Sequence, residues 1–213
     1  MCFNAKTSLL TFFIGVAGSF LLIKYGNPKF YKENMVSGIF FIFIAGIQLM
    51  DFFFWIDLKN TYGINKITTI IGPLLNVGQP IIFYIIKLFY FQPKNIFSMS
   101  HYNLPVFVLN LFYFIFLIKN YISFLTEGKL ITGTSHGHLS WPWIKYSNPG
   151  FYLLLLAINI FYLMNLNYSL LLFFITYFFL ILSTVFFSYN IGELWCFFGA
   201  FIPFIMIFAS FLL

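Results

Sequence analysis

Reactive and ionisable side chains are rare in this sequence, and those whose spacing could do chemistry fall into three groups. Gln48, Asp51 and Trp55 stand at i, i+3 and i+7. On a helix of 3.6 residues per turn that spacing keeps them within about 60° of one another. An aspartate among apolar neighbours must be protonated or meet a donor, because an unpaired carboxylate in an apolar medium is costly. Its candidate partners are Asn76, Gln79, Lys66 and the 125–149 segment. The second group is His136 and His138, in Ser135-His136-Gly137-His138-Leu139-Ser140-Trp141-Pro142-Trp143. Two histidines one residue apart reach a common metal ion only from an extended or turned backbone, which Gly137 permits. The third is Glu193-Leu194-Trp195-Cys196, with Cys2 as the second cysteine of the chain. Carboxylate, imidazole and thiolate are ligand types for zinc or copper, yet no established spacing links them. A polar clamp between helices is the favoured reading, and no cofactor is expected.

What must position these groups is a set of helices in lipid. Of 213 residues, 62% are apolar and 8% charged, with a mean hydropathy of +0.95, which excludes an ordinary soluble fold. Apolar residues run without alternation, as at 39–44 and 170–175, so a transmembrane β-barrel is excluded too. Crossing a bilayer core of about 30 Å takes roughly 20 helical residues. Seven runs fit: 7–25, 35–57, 66–91, 104–124, 150–167, 169–189 and 192–212. The predicted fold is all-α, a polytopic membrane helix bundle forming one domain over 1–213. Turn signals separate the runs, among them Gly26-Asn27-Pro28, Asn148-Pro149-Gly150 and the joint at Asn165-Leu166-Asn167. Pro73, Pro80 and Pro203 are expected to kink the third and seventh spans. Gly15, Gly18 and Ser19 favour close helix contact on the first. That first run follows only Lys6 and lacks a small-residue exit, so it reads as a retained helix.

Eleven lysines, no arginine and five acids give a net charge of +6. The lysines flank spans, where they set topology, instead of clustering on a solvated face as nucleic-acid binding requires. The expected partner is the lipid bilayer; protein partners and self-association carry no signal. Seven spans make the first and last run parallel. Cys2, Asp51, the 126–149 loop and Glu193 to Cys196 then share one membrane surface. If that surface is oxidising, a Cys2–Cys196 disulfide could join the first helix to the last, given Cα atoms within about 7 Å. Two unbonded cysteines are the favoured alternative, with lipidation of one left open. Lys24, Lys29 and Lys32 crowd the short loop after the first span, which places the N-terminus outside and the C-terminus in the cytoplasm.

The opening Met1-Cys2-Phe3-Asn4-Ala5 with Ser8, the Gln48/Asp51/Trp55 helix end, Gly137-His138 and Leu194-Trp195-Cys196-Phe197-Phe198 form a pattern. It resembles a family of small, uncharacterised multi-pass membrane proteins that begin Met-Cys-Phe-Ser-Ala and carry Trp-Cys-Phe-Phe-Ala near the C-terminus. This sequence departs in having Asn4 for the usual serine, Asp51 for the usual glutamate, and Gly199 before Ala200. The resemblance implies the architecture and the importance of these positions. It implies no activity.

Three functions are compatible with this reading. A non-enzymatic scaffold, assembly factor or receptor-like protein is preferred, and requires an internally satisfied polar cluster. A membrane-embedded, metal-dependent enzyme acting on lipid is the first alternative. Ceramidase-like and adiponectin-receptor-like enzymes hold zinc with several histidines, aspartate and serine. Here there are three histidines, one of them (His101) on the other side, and no His-x-x-x-His pair. A small transporter or channel is the second alternative. Pro73, Asn76, Gln79 and Pro80 would supply its midplane polar groups, but inverted repeats are absent.

Overall fold

The structure is a computed structural model that describes residues 4–91, 103–135, 137–186 and 191–213, with 191–193 described in backbone only. Asn4 caps α1 (Ala5–Tyr25), its Oδ1 accepting from Thr7 N at 2.9 Å. A 3-10 turn at Pro28–Phe30 leads into α2 (Tyr31–Ile56). There follow α3 (Ile64–Val77), α4 (Gln79–Phe91) and α5 (Asn103–Glu127). The hairpin β1 (Gly133–Ser135) and β2 (His138–Ser140) comes next, then a 3-10 turn at Pro142–Tyr146. The chain ends with α6 (Pro149–Phe161), α7 (Leu166–Phe186), α8 (Ile191–Gly199) and α9 (Ile202–Ala209). The molecule is a helix bundle.

Four described helices, α1, α2 with its leading turn, α5 and α7, are long and apolar enough to cross a membrane. The pair α3 and α4 makes a fifth candidate, bent by 58°. The expected third span is therefore broken at Gly78, with Pro73 inside α3 and Pro80 in the first turn of α4. Proline removes a backbone donor and crowds the preceding turn, which explains the bend. The expected last span is divided into α8 and α9 at Ala200 and Phe201, with Pro203 in the first turn of α9. The expected fifth span is shorter than drawn: α6 stops at Phe161, not 167, and Leu163 takes a left-handed φ of 62° in the connection to α7.

Small residues bring α1 against two neighbours. A Cβ on Gly15 would lie 2.9 Å from Ala45 Cβ on α2 and 3.2 Å from Ala200 Cβ, so glycine is what permits the approach. Side-chain bonds fix the directions. Asn27 Nδ2, after α1, donates to Ser210 O at 2.8 Å, so α1 and α9 run the same way. Tyr177 OH donates to Leu153 O at 2.6 Å and Ser169 Oγ to Ile160 O at 2.9 Å, which makes α6 and α7 antiparallel.

The two ends of the bundle are held differently. At the loop end, Asp57 accepts from the backbone N–H groups of Tyr62, Ile64 and Asn65 at 3.2, 2.8 and 3.3 Å, capping the start of α3. At the far end, Asn165 N donates to Glu33 Oε1 at 3.1 Å and Tyr168 OH to Asn34 Oδ1 at 3.1 Å. Lys87 also acts there. Counted among the lysines flanking spans, it is instead fully buried on α4. Its Nζ donates to Asn159 O, to Ile160 O at 3.1 Å and to Tyr162 O at 2.8 Å. These are carbonyls at the end of α6, which lack helical partners, so a lysine from another helix closes this one.

Candidate functional site

The loop end gathers most of the predicted groups around one contact. Trp141 Nε1 donates to Asp51 Oδ1 at 3.1 Å, and both residues are buried. Of the partners expected for Asp51, the 125–149 segment thus supplies a donor. Asn76 and Gln79 are engaged elsewhere: Asn76 Oδ1 accepts from Trp143 Nε1 at 3.4 Å, and Gln79 Oε1 accepts from Tyr152 OH. The two tryptophans stack, with centroids 5.3 Å apart and planes 15° apart. Tryptophans near a span end commonly form an aromatic belt at headgroup level; these two are turned inward, into a core of Ile47, Met50, Phe54, Phe124, Leu139 and Cys196. Pro142 between them starts a 3-10 turn and so sets the two rings on one side.

Two further anchors seat this loop. Thr132 is buried, its N–H donating to Asn65 Oδ1 at 2.9 Å, while Asn65 Nδ2 returns a bond to Thr132 O at 2.9 Å. Thr69 joins them, with its Oγ1 2.9 Å from Thr132 Oγ1. Gly72 makes room for Trp143, since a Cβ there would lie 2.5 Å from the ring. The loop is sealed onto α2, α3 and α5, not draped over them.

The remaining predicted residues divide. Gln48 is buried on α2 one turn before Asp51, and Cys196 is buried in the same core. Trp55 packs at its edge, its buried indole N–H meeting no acceptor among the described residues. Trp195 turns away: its Nε1 donates to Thr176 O on α7 at 3.1 Å and its ring meets Tyr152 edge-on at 5.9 Å. His138 is half-buried in β2, paired with Ser135 across a tight turn where Gly137 takes φ +79°. Cys2, His136 and the Glu193 side chain lie outside the described residues, as does His101. The Cys2–Cys196 disulfide and the His136/His138 metal pair therefore have no geometry to report. Among the described residues no three His, Cys, Asp or Glu side chains lie together as a metal site.

No family model, curated protein or solved structure matches the chain. The site must be read from its own chemistry.

A second polar group was not anticipated. At the α3–α4 bend, Tyr113 OH donates to Val77 O at 2.8 Å and Asn159 Nδ2 donates to Pro80 O at 2.9 Å. Asn159 and Asn110 also exchange amide bonds, both at 3.0 Å. Interhelical amide pairs of this kind act as glue between apolar helices. The available signal was an asparagine in the middle of each of two apolar runs, Asn110 and Asn159. Outside the spans, the Asp57 carboxyl is perturbed. Burial pushes its carboxyl up, but the backbone N–H groups of Tyr62, Asn65, Ile64 and Thr61 outweigh this and hold it below the usual aspartate value of 3.8.

Proposed function

We propose that this chain is a non-enzymatic, multi-pass integral membrane protein of scaffold, assembly or receptor-like type, closed at one surface by a locked loop. The observation that carries the reading is the Trp141–Asp51 bond. A carboxylate offered to substrate or metal would face an accessible space; this one is buried under a stacked tryptophan pair.

Seven crossings belong to the same proposal. Asn27, Glu33, Lys87, Asn103, Asn165 and Ser210 meet at the far end, through bonds that include Tyr162 OH to Asn103 Oδ1 at 3.1 Å. Asp51, Asp57, Thr132 and Trp141 meet at the other. The chain passes between these ends seven times, with α6 and the α8–α9 pair as its short or broken passes. The lysine-rich loop after α1 favours a cytoplasmic far end, and so an outside loop end. The resemblance to small multi-pass proteins stands with this proposal and adds no activity to it.

The 58° bend of α3 on α4 is the one observation favouring transport. Transporters use such breaks to present unpaired backbone to cargo. Here Tyr113 and Asn159 occupy those carbonyls, and Tyr152 bonds Gln79, which favours a structural bend.

Metal analysis of the purified full chain tests the proposal. The expected result is no stoichiometric metal. Zinc or copper at one per chain, lost on His136→Ala/His138→Ala substitution, would overturn it in favour of the metal-dependent enzyme.

A further inference from the structure

Three backbone oxygens at the end of α6 converge on one point. Asn159 O and Ile160 O belong to its last turn, where carbonyls lack intrahelical donors and concentrate negative charge. Tyr162 leaves the helix with extended backbone and Leu163 turns with a φ of 62°, so that Tyr162 O joins the other two. The turn makes a cup out of what would otherwise be a row of helix-end carbonyls.

The occupant of the cup is Lys87, fully buried on α4. Its Nζ donates to Asn159 O, to Ile160 O at 3.1 Å and to Tyr162 O at 2.8 Å. A primary ammonium has three N–H donors and no acceptor, and here three acceptors meet them. The Phe83 ring closes a further side, its centroid 4.4 Å from Nζ. Glu33, the acid at this end of the bundle, accepts instead from Asn165 N. The cation is thus held by carbonyl dipoles and a ring face, in the way that carbonyl rings replace an ion's hydration shell in selective pores. Such a cup discriminates. An alcohol offers one donor and no charge, and a quaternary ammonium offers charge and no donor. A primary ammonium matches both the charge and the three acceptors.

We propose that the end of α6 is a binding site for a primary ammonium ion, and that Lys87 is its tethered ligand, delivered from α4. The two helices are then joined by ligand binding within one chain, and the site keeps its specificity when the tether is cut. This holds whether or not the loop end is catalytic.

The full chain carrying Lys87→Ala, purified in detergent, tests this with n-propylammonium, whose three carbons and nitrogen replace the atoms that the substitution removes. Its thermal midpoint is expected to rise with the logarithm of propylammonium concentration, as binding to the folded state requires. Tetramethylammonium and n-propanol at the same concentrations should give no such rise. The unaltered chain and Lys87→Met, in which a side chain already fills the cup, should not respond to propylammonium. If Lys87→Ala does not fold, the same comparison is read as recovery of monodisperse protein from membranes extracted in each compound. Equal rescue by propanol would overturn the proposal, since space and not an ammonium would then be what is missing. An equal response in Lys87→Met, or no rescue by propylammonium, would overturn it too.

Discussion

The indole N–H of Trp141 reaches across ninety residues of sequence to Asp51 Oδ1, at 3.1 Å, in a site closed to solvent. Trp141→Phe keeps the ring and removes that donor. The expected loss is about 1–3 kcal/mol, the range for removing one partner of a buried polar group. Asp51→Asn should also destabilise, and the double variant should lose less than the sum, because the two residues share a bond. Thermal unfolding of the four proteins in one detergent measures the coupling. Strict additivity would mean that the bond contributes nothing.

Gly72 is the second control on this loop. A side chain there meets Trp143 at 2.5 Å and Met50 Cε at 3.0 Å. Gly72→Val should displace the tryptophan at about 1–3 kcal/mol, as overpacking does in a filled core. Faster tryptic cleavage after Lys145 or Lys129 would report the loosened loop.

Replacing Lys87 by methionine keeps most of the side-chain volume but leaves the carbonyls of Asn159 and Tyr162 without that donor, while Ile160 O keeps Ser169 Oγ. Each carbonyl left unsatisfied in an apolar interior costs about 1–3 kcal/mol. Lys87→Met is thus expected to be the most damaging single lysine substitution in the chain. A thermal scan of all eleven lysine variants would show it.

The reciprocal amide pair predicts a non-additive cycle. Asn110→Leu leaves Asn159 with one donor and one acceptor unused, and the reverse holds for Asn159→Leu. The double variant should recover part of the single losses, since two apolar partners replace two polar ones. Asn159→Leu should remain the worse single variant, because it also releases Pro80 O.

Acid should loosen the start of α3. The Asp57 carboxyl is held below 3.8 in the folded protein. A depressed acid stabilises fully above its unfolded value and loses that stability as pH falls through its folded one. Hydrogen exchange at Ile64 and Asn65 should therefore stay protected at neutral pH and rise only below about pH 3.8. In Asp57→Asn the protection should be weaker at neutral pH and no longer pH-dependent.

The helical, membrane-bound character was legible because it is a property of composition and of run length, which lipid reads almost directly. Asp51 was legible as a group needing a donor, since charge in an apolar run is conspicuous. That the donor would be Trp141 was not. Tryptophan at a span end is as much at home in headgroups as in a core, and only the fit over Gly72 decides between them. Lys87 was misplaced for a related reason. Its sequence neighbours mark it as a helix-end lysine, and its acceptors lie more than seventy residues away. The end of α6 at Phe161 was hidden because the apolar run continues unbroken through a turn that Leu163 enters with positive φ.

Those seventy residues also order events in time. While the chain is being made, α4 emerges long before the carbonyls that Lys87 will hold. Until Tyr162 is synthesised, the amine has only water or headgroups to bond, so α4 settles at full depth only after α6 has arrived. The α3–α4 pair is completed by α6, so biogenesis of this bundle is not expected to proceed strictly one helix at a time.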